Sequence, residues 1–158
     1  MPGDYSPGSL FKEDTMKSEP VIENQSVIRW YFYCIRELHQ HFRFIYIDDI
    51  AFDWLQIIDF PLPNTFFQSS STLLLKLPGE NIENHYDYDF YMDLDLNRMD
   101  GQQTKHLIDG IGYNLYQNQG YCRLSYHLQN FNPTLPINNG DTLLDICQSL
   151  YHFLSKKW

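Results

Sequence analysis

A chain of 158 residues reads as one domain long enough to bury a sizeable core, and its net charge of -9 argues against a nucleic-acid backbone as partner. Its three cysteines lack metal-ligand spacing and make no disulfide framework, which predicts a reducing, cytoplasmic setting with no metal or other cofactor. No apolar run approaches the ~20 residues of a membrane span, and the first residues lack the basic-then-apolar plan of a signal peptide.

The predicted elements follow in order. Residues 1–22 mix Pro, Gly, Ser and charges without apolar periodicity and read as a flexible tail, leaving 23–158 as the folded domain. Asn24 or Ser26 can cap a helix running to about His41, with Val27, Tyr31, Cys34, Ile35, Leu38 and Phe42 on one face. Cys34 lies inside that stripe and packs as a small hydrophobe; His39 and His41, at the exposed helix end, read as solvated rather than as ligands.

From Arg43 the period changes from helix to strand. FRFIYID and FDWLQIIDF are runs of β-formers, the second closed by Pro61-Leu62-Pro63. STLLLKL is apolar on both faces and stops at Pro78-Gly79, after which YDFYMDLDL alternates. Phe90, Met92, Leu94 and Leu96 are expected on one face; Asp89, Tyr91, Asp93 and Asp95 on the other, as a solvated acidic surface rather than a calcium site, since EF-hand spacing is absent. Four such strands predict an antiparallel meander with one face free for a helix. Asn97 to Ile111 reads as polar loop, and His106 within it as structural or solvated. Asp141 or Thr142 caps a last helix whose stripe is Leu143, Ile146, Cys147, Leu150, Phe153 and Leu154. Aromatics reach 16% of the chain, so the core is expected to be aromatic-rich.

Between loop and last helix lies GYNLYQNQGYCRLSYHLQNFNPTLPIN, Gly112 to Asn138. Cys122 there is the one cysteine off a helical stripe, and it is expected in a glycine-bounded turn. Asn114 precedes it by eight residues, and Phe131, Pro133 and Leu135 follow it as an aromatic-x-Pro-x-Leu run. This segment resembles the active-site segment of ubiquitin-conjugating enzymes, in which an Asn precedes the catalytic Cys by that interval. Ser125-Tyr126-His127 is similar to a Ser-x-His of the bacterial members. The chain departs from the pattern in having Gly112-Tyr113 where His-Pro is usual, no acidic residue soon after Cys122, no Tyr-Pro pair before the fourth strand, and one extra residue between Cys122 and Phe131.

The resemblance implies an α+β fold: N-terminal helix, four-stranded antiparallel meander, long active-site segment, C-terminal helix. It also implies that Cys122 accepts a ubiquitin-like protein as a thioester from an adenylating activating enzyme. A metal-dependent isopeptidase would be a further partner in a bacterial conjugation system, with neither nucleic acid nor membrane involved. A thiolate suits that work because it both attacks and leaves readily. Asn114 would stabilise the tetrahedral oxyanion, a contribution of roughly 3–4 kcal/mol for a side-chain amide, and His127 or Asn130 would handle the incoming amine. Two other readings stay open: a catalytically inactive binding module on the same fold, and a small acidic α+β interaction or immunity-type protein that neutralises a basic partner.

Overall fold

The computed structural model describes residues 22–101, 107–108, 119–135 and 139–156. The tail expected over 1–22 lies outside the described residues except for Ile22, which is a core residue. Helix α1, Gln25–Leu38, starts where Asn24 accepts a hydrogen bond from the Ser26 amide at 3.0 Å. It buries Val27, Trp30, Tyr31, Cys34 and Leu38. Trp30 joins the expected stripe because a ring of that size widens the face a helix can bury.

The expected meander is present. Strands β1 (Ile45–Ile47), β2 (Trp54–Pro61), β3 (Ser70–Lys76) and β4 (Asp89–Asp93) pair consecutively and antiparallel. The sheet then goes beyond it. Strand β6, Tyr121–Leu124, pairs antiparallel with β4, and the two-residue β5, Leu107–Ile108, pairs with β6, giving the order β1-β2-β3-β4-β6-β5. Two expectations are corrected here. The Asn97 to Ile111 stretch contains a strand, and Cys122 sits in a strand, not in a turn.

Helix α2, Leu143–Ser155, packs with α1 on one face of the sheet, and the core between them includes Leu55, Ile57, Leu73, Leu75, Phe90, Met92 and Leu124. At its N-terminus Asp145 accepts from the Thr142 amide at 2.8 Å, and the Thr142 hydroxyl reaches Glu37 of α1 at 2.5 Å. The Leu143 amide points at Cys34 Sγ, 3.5 Å away. One orphan donor of α2 is thus satisfied by its neighbouring helix. Gly140, just before it, has no room for a side chain: a Cβ there would lie 2.5 Å from Thr134 Oγ1 and 2.8 Å from its Cγ2.

At the opposite end of α2, Arg98 forms a latch. Its guanidinium is wholly buried and donates to Asp100 at 2.8 Å, to the Lys156 carbonyl at 3.0 Å and to the Leu154 carbonyl at 3.5 Å. It also lies 5.5 Å from the Phe66 ring centroid. Thr65 donates to the same Leu154 carbonyl at 2.8 Å. The carbonyls that a helix leaves unpaired at its C-terminus are thereby bonded to the loops before β3 and after β4.

The second face of the sheet differs from expectation. Tyr91 is buried with Trp54, Leu74 and Tyr121 in a separate cluster. Gln56 donates to the Tyr121 hydroxyl at 2.7 Å, Asp93 accepts from Ser71 at 2.9 Å, and Asp89 pairs with Arg123 at 2.8 Å. Asp89 and Asp93 are therefore half-buried partners in bonded pairs, whereas Asp95, just beyond the strand, is exposed as expected. Leu94, expected in the core, is exposed because β4 ends at Asp93.

Replacing Arg98 with Ala should lower stability by about 2–3 kcal/mol, since two carbonyls lose a charged donor inside the fold. Arg98→Lys should recover less than half of that, because one ammonium cannot match the fork. Urea unfolding of the two variants against the parent checks both.

Candidate functional site

Strand β6 places Cys122 opposite Met92 of β4. Residues that face each other across a ladder share a face, and Met92 lies fully in the core between sheet and helices. Leu124, two residues on, is a core residue too. Cys122 is accordingly buried, with 3% of its surface exposed, and its Sγ lies 3.9 Å from the Arg123 carbonyl. The turn that was expected to hold it ends two residues earlier, where Gly120 takes φ +89 and accepts from the Leu94 amide at 3.0 Å.

Asn114, expected as the oxyanion donor, lies outside the described residues. His127 and Asn130 are exposed, and Asn130 adopts the left-handed backbone at φ +57. After β6 the chain keeps dipping inward at Leu128 and Phe131, with His127 exposed just before the first and Gln129 and Asn130 exposed between the two. The outward residues meet α2 across a cavity of about 400 Å³. Ser125, Tyr126, His127 and Gln129 line one wall. Ser149, His152, Phe153 and Lys156 line the other. Cys122 is not among the residues that line it.

The rings of Tyr126 and Phe153 form the apolar part of this groove, 4.7 Å apart. Burial pushes the Tyr126 phenol above its usual range, against a hydrogen bond with Ser149 that acts the other way. The phenol therefore stays neutral in any physiological setting. The sequence marks Lys156 only as a cation suited to the helix C-terminus; Ser149 and His152, three residues apart on the polar side of α2, were not singled out. That polar stripe was the available signal. Its meaning depended on the wall opposite.

No group of three or more His, Cys, Asp or Glu side chains is arranged to hold a metal ion among the described residues. No described helix is long and apolar enough to cross a membrane. No known protein-family model, curated protein or solved structure matches the chain.

The helical cysteines are thiols of the core. Burial pushes Cys34 up to about 12, as it does Cys147, also to about 12. A proton held more tightly in the folded state stabilises the fold fully below the unfolded thiol value. That contribution is lost as pH rises through the folded one. Stability should therefore begin to fall near pH 9 and continue falling towards 12. Burial raises Tyr31 and Tyr88 as well, so they steepen the loss above pH 10. Urea unfolding at pH 7, 9 and 10.5 measures the slope, and Cys34→Ala should flatten its first part.

Proposed function

We propose that this chain is a non-catalytic binding protein of acidic surface, and that Cys122 serves its core. The burial of Cys122 opposite Met92 carries the proposal. A thiolate must be reachable to attack an acyl group, and a thioester needs space around its sulfur. Cys122 is only 3% exposed, on a strand that pairs with β4. The order helix, meander, irregular segment, helix supports kinship with the ubiquitin-conjugating plan. The strand that carries the cysteine is an addition to the expected four.

The partner surface that fits best is the end of the molecule around the β1–β2 turn. Asp48 is buried there and accepts from the amides of Ile50, Ala51 and Asp53 at 3.1, 3.3 and 3.2 Å, which fixes the turn. Phe52 is held at φ +52 and stacks 4.4 Å from Tyr31, whose hydroxyl donates to the Gly79 carbonyl at 2.6 Å. This rigid base presents Ile50, 55% exposed, and Phe32, 48% exposed, whose ring meets the edge of Phe52 at 5.9 Å. Asp49, Asp53 and Glu80 are exposed on the turn side, and Arg29 and Arg36 flank Phe32 along α1. An apolar centre with carboxylates on its turn side suits a basic protein surface there, because those charges steer encounter and the centre supplies buried area.

Two measurements test the proposal. Incubation with an activating enzyme, its ubiquitin-like modifier and ATP should leave no reducible adduct; an adduct abolished by Cys122→Ser would overturn it and restore the thioester reading. Binding to a lysine-rich polypeptide at fixed ionic strength should weaken on the order of tenfold in Asp49→Lys with Asp53→Lys. The same charge change at Asp59 and Asp95, at the far end of the sheet, should cost much less. Equal loss in both pairs would remove the turn end as the contact surface.

A further inference from the structure

We infer that the groove between the segment after β6 and the last turns of α2 is a binding site for a phosphate group. Carboxylates are abundant in this chain, with 20 Asp and Glu against 11 Lys and Arg, yet among the described residues none lines this groove. Its rim instead offers the Ser125 hydroxyl, the His127 and His152 imidazoles, the Gln129 amide and the Lys156 ammonium. All five can donate hydrogen bonds, and one is a permanent cation at neutral pH. They come from two separate stretches of chain, so no single helical or strand repeat places them together.

The number of donors favours phosphate over carboxylate. A carboxylate presents about four lone-pair positions on one planar group. A phosphate dianion carries more charge and spreads three acceptor oxygens over a tetrahedron, which suits donors approaching from two walls. The C-terminal end of α2 would by itself repel an anion. Here, however, the Leu154 and Lys156 carbonyls are already bonded to the Arg98 guanidinium from the other side.

The groove is also larger than one phosphate. At about 400 Å³ it falls in the range of small-molecule sites, and the Tyr126 and Phe153 rings give it an apolar floor. The ligand class is thus either inorganic phosphate or a small organic phosphate whose flat body rests on those rings.

Titration of the full chain with inorganic phosphate and, separately, phenyl phosphate tests this, with amide chemical shifts followed at constant pH and ionic strength. Saturable shifts confined to Ser125–Gln129 and Ser149–Lys156 are expected. Tighter binding of phenyl phosphate would identify an organic ligand, and equal binding the free ion. His152→Gln and Lys156→Met, both at exposed positions, should each weaken binding about tenfold, the loss expected for one charge-assisted hydrogen bond. Absence of saturation by either probe would overturn the inference. So would equal affinity for benzoate, or binding unchanged in the double variant. None of these outcomes depends on Cys122 or on the partner surface at the β1–β2 turn.

Discussion

Strand β6 lies against β4 with Cys122 opposite Met92, and most of what can be said about function depends on that register. In a strand the side chains alternate, so a slip of one residue would move Cys122 to the other face and bring Tyr121 and Arg123 inward. The observed register is fixed from both faces. On the helix side, Leu124 and Met92 sit in the main core. On the other, Arg123 meets Asp89, and Tyr121 takes a hydrogen bond from Gln56 while packing with Trp54, Leu74 and Tyr91. Sliding the strand would bury an arginine among hydrocarbon and strand two polar pairs, each change costing more than a single contact returns.

The same alternation links the cysteine to the groove. Because Cys122 and Leu124 face the helices, the chain leaving β6 reaches the end of α2 with Leu128 and Phe131 continuing inward. The polar residues between them are forced outward along the rim. The burial of the thiol and the exposure of His127 are thus two consequences of one path.

Much of this architecture was legible in the residues. The stripes of α1 and α2, Asn24 and Thr142 as caps, and the four-strand meander follow from periodicity and turn chemistry that act locally. What was not legible depended on pairing. Tyr121–Leu124 is only four residues long and follows a glycine turn, so its strand character comes from the edge of β4 rather than from its own composition. Asp89 and Asp93 looked like a solvated face because Arg123 and Ser71, which engage them, are distant in sequence. The groove was invisible for the same reason: Ser149, His152 and Lys156 form an ordinary polar helix face until Ser125, His127 and Gln129 are set across from it.

That last point also decides how the groove should be understood. Cationic side chains near a helix C-terminus are favoured by the helix dipole alone, by roughly 0.3–1 kcal/mol each, and acidic ones near the N-terminus likewise. Helix α2 obeys this rule, with Asp145 in its first turn and His152 in its last. Dipole complementarity therefore accounts for His152 and Lys156 without any ligand. It does not account for Ser125, His127 and Gln129, which belong to a segment with no helix of its own and face the same cavity. Nor does it account for a concavity with no carboxylate among the described residues that line it, in a strongly acidic chain. One wall has a reason to be cationic that concerns folding; the opposite wall has none. The excess of donors on that second wall is what a bound anion would explain and what the stability of the fold leaves over.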